Sequence, residues 1–417
     1  MRRQIACNVI WLLAERAVQV AASIGTIAMI ARAIGPEGFA HFQYAQALVL
    51  IASSMALICG AEVVVPRLVV NRSPSVQHQL MRYAFGLREI AGITAYAVLL
   101  AGIWLTGQDD ITLHIAAILG ISILLREPFG IVNAWMQAHT DNRLGVVFSI
   151  VALASKVGVI GLLFLLHVKI VHLYAWAFAI ESAFLAALLA RHYLRRAPHV
   201  HLPPDRHLVA QLLQDGAIYW VGFVMMISAR RVDQLMLRPQ VSLADLGAYA
   251  ASMQILDNFS LLATIAANAM APLAIYAQPS LERVRKNLIR VAGGMAVLGT
   301  AGGALIALAA PWIVHLLYGS KFATAATLLQ QAALATGLVF ADGALTLLVV
   351  YLRKPGWLAI KWFLVLITIA AVDWFMIPRI GASGAVLGYV AGNTLAVMIG
   401  IAYLCIARPA AASRQAA

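Results

Sequence analysis

The stretch "ARAIGPEGFAHFQYAQAL", Ala31 to Leu48, decides the fold. A knot of Gly35-Pro36-Glu37-Gly38 stands between two long apolar runs. Glycine reaches backbone angles that other residues avoid, and proline suits the first turn of a helix, where its missing N–H has no partner to lose. The knot therefore predicts a tight turn that ends one apolar helix and starts the next. Each flanking run is long enough to cross a bilayer, which takes about 20 residues.

The rest of the chain follows suit. Of 417 residues, 62% are hydrophobic and 11% charged, and the mean hydropathy is +0.86. A soluble domain carries about 25% charged residues. This much apolar surface has no place in one soluble core, so lipid is the solvent for most of the chain. Apolar runs recur to the C-terminus, which excludes a cleavable leader as their explanation. Cys7, Cys59 and Cys405 form no CxxC pair, so the sequence predicts no disulfide, no metal site and no cofactor.

Apolar runs bounded by polar breaks predict twelve spanning helices, at 9–33, 43–65, 83–105, 111–136, 144–166, 170–190, 215–238, 246–271, 288–310, 323–350, 356–377 and 383–406. Alternate loops and both termini hold most of the cations, among them Arg2, Arg3, Arg67, Arg72, Arg82, Arg88, Arg143, Arg191, Arg195, Arg196, Arg206, Arg408 and Arg414. The other loops hold Lys169, Lys321 and Arg379, with Arg32 and Arg238 at helix ends. The positive-inside rule places the first set, and with it both termini, in the cytoplasm. The net charge of +13 is thus a mark of topology rather than of nucleic-acid binding.

The opening stretch has a faint echo in "MLRPQVSLADLGAYAASMQIL", half a chain length later: Arg32 matches Arg238, and each copy leads into an apolar helix ending at a proline, Pro66 and Pro272. The join falls in the polar stretch after residue 190, which reads as a solvated linker, including His199, His201 and His207. The predicted organisation is an N-terminal six-helix bundle (1–190), a linker (191–213) and a C-terminal six-helix bundle (214–417), an all-α membrane protein with pseudo-two-fold symmetry along the membrane normal. Parallel repeats of this kind are a recurrent transporter plan, with substrate near the midplane.

Charges within spans are costly and usually face a cavity or a partner. The cations are Arg16, Arg126, Lys156, Arg230, Arg231 and Lys361, the candidates for binding an anionic substrate. Arg230 and Asp233, three apart, are expected to pair, leaving Arg231 to face elsewhere. Glu15, Glu62 and Lys361 sit near helix ends, where they would snorkel. Glu181, Asp233 and Asp257 are the candidate carriers of a coupling proton or sodium ion. Trp135, Trp176, Tyr219, Trp220 and Tyr249 are candidate stacking faces for sugars. There is no Walker motif, no HExxH and no GxSxG, so the sequence points away from an enzyme.

Two stretches carry a resemblance: Asn8, Trp11 and Arg16 ahead of "ARAIGPEGFAHFQYAQAL", and "PWIVHLLYGSKFATAATLLQQAAL" from Pro311 to Leu334. With them the chain resembles the Wzx-type flippases of polysaccharide repeat units, in the superfamily that includes multidrug and toxic-compound extruders and lipid II flippases. Ile34, Ala40 and His41 depart from the commonest spelling of the first motif. The resemblance implies a MATE-like fold in the bacterial inner membrane. It implies transfer of undecaprenyl-pyrophosphate-linked oligosaccharide to the periplasmic leaflet by alternating access, for O-antigen, capsule or exopolysaccharide. Membrane lipids and other polysaccharide-assembly membrane proteins are the expected partners. A cation-coupled drug antiporter of the same superfamily is the alternative, followed by an integral-membrane glycan polymerase or transferase.

Overall fold

A computed structural model describes the backbone of residues 2–71, 73–139, 142–198, 203, 205–278 and 280–407; the side chains of residues 2–17, Asn142 and Leu273 lie outside this description. Outside it too are Arg72, His199, His201, Arg408 and Arg414, and the side chains of Arg2, Arg3, Cys7, Glu15 and Arg16. Among the described residues the chain is helical throughout. Its α-helices are α1 (Arg2–Ala56), α2 (Ala61–Val70), α3 (Pro74–Leu105), α4 (Asp110–Phe129), α5 (Ile131–Ala138), α6 (Asn142–Leu165), α7 (Val171–Leu194), α8 (Arg206–Ala229), α9 (Val232–Leu237), α10 (Leu243–Ala271), α11 (Leu281–Tyr318), α12 (Ala323–Ala333), α13 (Thr336–Tyr351), α14 (Pro355–Ile380) and α15 (Ala382–Ile406).

The opening stretch is a turn inside α1. Gly35 takes φ +73°, which divides α1 into two limbs, and Pro36 follows as the first residue of the second limb. Its echo is built differently. Between α9 and α10 there is no Gly-Pro; Ser242 instead caps α10 by accepting from the Asp245 N–H at 3.1 Å.

Nine segments among the described residues are long and apolar enough to cross a membrane, or ten if the pair Ser320–Ala333 and Thr336–Tyr351, bent by 49°, counts as one. The twelve ranges read from the sequence differ from this for physical reasons. Val18–Val70 holds two of them in one bent run. α10 carries Gln254, Asp257 and Asn258 in its middle, which lowers its apolarity. Several expected helices are also interrupted, at 57–60, at Gly130, at Arg230–Arg231 and at Leu334–Ala335.

The chain divides into two compact units, Met1–Val224 and Met225–Ala417. In the first, α4 packs against α1, α3 and α7, and α6 against α7. The start of α8 belongs to this unit: Leu212 is buried in a core with Cys59, Val63, Val64 and Leu80. Arg67 pairs with Asp215 at 2.5 Å, and the Trp220 indole donates to Met55 O at 3.0 Å. In the second unit, α11 packs against α12 and α13, α10 against α12 and α13, and α14 runs along α15. Phe259, Met295, Phe340, Leu348 and Tyr403 meet in its core.

Candidate transport site

In the second unit, α8 stops at Ala229 and α9 resumes at Val232. The Arg230 N–H reaches back to Met226 O and Ile227 O, both at 3.2 Å. Beside this turn lies a cavity of about 90 Å³, walled by α9, α10, α13, α14 and α15. Arg230, Arg231, Asp233, Asp257, Asp342, Trp362, Tyr389 and Asn393 are among its lining residues. That is room for a few waters. Four of the candidates named from the sequence line it: Arg230, Arg231, Asp233 and Asp257.

Their pairing differs from the one their spacing suggested. Arg231, not Arg230, takes a carboxylate: its guanidinium lies 2.9 Å from Asp257 Oδ2, a charge contact without the alignment of a hydrogen bond. Asp233 instead accepts from the Tyr249 hydroxyl, and from the Gln234 N–H at 2.7 Å. The i,i+3 rule assumes a continuous helix, and the break at Arg230–Arg231 removes that condition. Arg230 is left at the cavity surface with its guanidinium 5.9 Å from the centre of the Trp362 ring, and no carboxylate pairs with it among the described residues.

Lys361 does not snorkel. It is 4% exposed, and its ammonium donates to both oxygens of Asp342, at 2.8 and 2.9 Å, and to Thr346 Oγ1 at 2.9 Å. This is a neutralised clamp between α13 and α14. The cavity lining thus holds two cations, Arg231 on Asp257 and Arg230 without an ion pair among the described residues, beside the acids Asp233, Asp257 and Asp342.

The remaining candidates lie in the first unit. Lys156 on α6 pairs with Glu181 on α7 at 2.8 Å, and its ammonium stands 4.8 Å from the centre of the Phe178 ring. Arg126, in the last turn of α4, is exposed and has no side-chain partner among the described residues. Of the aromatics, Tyr249 is buried on Asp233, and Trp176 and Tyr219 are exposed. Trp135 packs with His139, His192 and Tyr193.

Three residues were not among the site candidates named from the sequence. Trp362 lines the cavity beneath Arg230. Asp373 on α14 is fully buried, and neither carboxylate oxygen has a hydrogen-bond partner among the described residues. A signal for its setting was present in Gly384, Gly388 and Gly392, spaced four apart, which let α15 press its backbone on α14. A Cβ at Gly388 would lie 1.9 Å from Asp373 Oδ1. Arg88, read as a cytoplasmic loop cation, is 4% exposed within α3. It donates to Ile58 O at 3.1 Å, Cys59 O at 3.0 Å and Glu127 O at 3.1 Å, at two helix breaks. Cys59 there holds φ +57°, an uncommon value for a residue with a side chain.

Long apolar helices, several of them broken, around charges buried in their midst define a multi-pass membrane protein. The solved structures agree on the fold. An inward-facing multidrug resistance MATE family transporter of the MOP superfamily superposes with a TM-score of 0.77 at 13% identity, over 92% of this chain and 93% of that one. The lipid II flippase MurJ in an inward closed conformation gives a TM-score of 0.74 at 10% identity, over 95% of this chain and 87% of that one. No curated protein matches the sequence. Residues 5–278 match the family described as polysaccharide biosynthesis protein, and the chain belongs to that family.

Proposed function

We propose that the chain is a flippase that carries undecaprenyl-pyrophosphate-linked oligosaccharide repeat units from the cytoplasmic to the periplasmic leaflet of a bacterial inner membrane, with both termini cytoplasmic. The products served are O-antigen, capsule or exopolysaccharide. One observation carries the reading: in a member of a polysaccharide biosynthesis family, a cavity among apolar helices offers at its surface an arginine with no ion pair among the described residues. A pyrophosphate is a dianion or more, and a planar guanidinium with several N–H donors suits its oxygens. Trp362, beside Arg230, sets an aromatic ring in the cavity wall for contact with a sugar. A structural neighbour that flips a lipid is in keeping with this reading. Asp233 and Asp257 are the proposed carriers of a coupling proton or sodium ion in this unit, and Glu181 in the other.

A second reading has its own observation. The acids Asp233, Asp257 and Asp373 would suit a cationic drug exchanged for an ion, as in a multidrug transporter of this fold. Deleting the gene in a host of known surface-glycan chemistry separates the two. The flippase reading expects loss of the surface polysaccharide, with lipid-linked repeat units retained on the cytoplasmic side. Unchanged glycan with heightened drug sensitivity would overturn it in favour of the antiporter.

A further inference from the structure

A second cavity, in the first unit, has no part in the charged site. It measures about 320 Å³ and lies between the first turns of α3, the joint of α4 and α5, and the last turn of α7. Its walls are mostly hydrocarbon and aromatic: Met81, Phe85, Phe129, Ile131, Val132 and Leu194. An engineered apolar cavity of about 150 Å³ in another protein stays dry and admits benzene. This one is about twice that size, enough for a length of alkyl chain.

Its polar members are His78, Arg82 and Tyr193. The His78 ring nitrogen and the Tyr193 hydroxyl are 2.7 Å apart, joining the outermost turns of α3 and α7. Arg82 is exposed and has no side-chain partner among the described residues. Arg191 and Arg195 add exposed cations at the same end of α7, and no acid lines the cavity among the described residues. Along α3 the lining passes from His78 and Arg82 to Phe85, from the polar start of the helix toward its apolar body. In a bilayer this order sets a cation at headgroup depth and an apolar chamber at acyl-chain depth.

We infer that this cavity binds one acyl chain of an anionic phospholipid from the leaflet where α3 begins and α7 ends, with the lipid phosphate on Arg82. The shape supplies the chain's site and the uncompensated guanidinium supplies the head's. A neutral zwitterionic lipid satisfies the chain but brings its own cation to a basic rim, so the site prefers a net negative head.

The test uses the purified full-length protein in vesicles that contain a phosphatidylglycerol with a photoreactive group on its acyl chain. Crosslinks should map to Phe85, Phe129 and Ile131, and should be displaced by unlabelled phosphatidylglycerol up to about fivefold better than by phosphatidylcholine, whose phosphate is the same but whose choline meets the exposed cations of the rim, the factor expected of one solvent-exposed charge interaction. Arg82→Ala should abolish that preference while leaving the crosslink positions unchanged. Ala190→Trp, or the gentler Ala190→Leu if the first does not fold, should fill the chamber and remove crosslinks from these three residues only. Equal displacement by the two phospholipids, or crosslinks insensitive to filling in a folded variant, would overturn the inference. Displacement by a polyprenyl phosphate at lower mole fraction than phosphatidylglycerol would also overturn it, assigning the chamber to the carrier lipid.

Discussion

Adding one methyl group at Gly388 should unsettle the second unit, and the cause can be isolated. An alanine Cβ there would stand 1.9 Å from Asp373 Oδ1 and 2.9 Å from its Cγ, where ordinary contact begins at about 3.5 Å. The carboxylate is fully buried, so it has no open side into which to swing. α14 and α15 must separate or Asp373 must leave its rotamer, an overpacking cost of about 1–3 kcal/mol. If the carboxylate is the obstacle, Gly388→Ala should cost almost nothing once Asp373 is also alanine. The coupling energy would then equal most of the single-mutant loss. Gly384→Ala is the control, because its Cβ meets backbone, Ile377 N and Met376 C both at 2.6 Å, which trimming Asp373 does not relieve. The measurement is the unfolding midpoint of each purified variant in mixed micelles titrated with SDS. Equal losses for Gly388→Ala with and without Asp373 would refute the assignment of the clash.

Lys361→Met should destabilise by about 3–5 kcal/mol by stranding the Asp342 carboxylate in the interior, and Lys361→Met with Asp342→Leu should recover most of it in the same titration. Arg88→Lys should cost about 1.5–3 kcal/mol, since a single ammonium does not span the three carbonyls that the guanidinium reaches; hydrogen exchange should rise first at residues 57–60. Arg230→Ala, at an exposed cation with no ion pair to lose among the described residues, should leave the midpoint within about 0.5 kcal/mol while glycan export falls at least tenfold. Arg230→Lys should restore export only in part. Wild-type export in Arg230→Ala would remove this residue from the site.

The helices were legible because lipid imposes a long apolar run on nearly every spanning segment, and the turn at Gly35-Pro36 because few residue pairs reverse a helix so compactly. The internal breaks were not. Arg230 and Arg231 read as part of a continuous helix, so the spacing to Asp233 named the wrong partner. Ion pairs such as Lys156–Glu181 and Lys361–Asp342 join different helices, and one sequence carries no record of which helix faces which. Arg88 was misplaced because a cation near a helix start follows the pattern of a loop charge. Three carbonyls at distant breaks accept from its guanidinium and make its burial tolerable, and those breaks were hidden too. The setting of Asp373 was half visible: the four-residue glycine rhythm of α15 announced a close neighbour without naming what lay opposite.

The bonds of Arg88 also limit how the first unit can yield. Residues 57–60 and the joint at Gly130 are each a weak point in a helix, and two such points would ordinarily open one at a time. One guanidinium holds carbonyls at both, so loosening either withdraws the side chain from the other. Their fluctuations should be correlated, like two doors on a single latch, and the unit gains one cooperative opening in place of two independent ones.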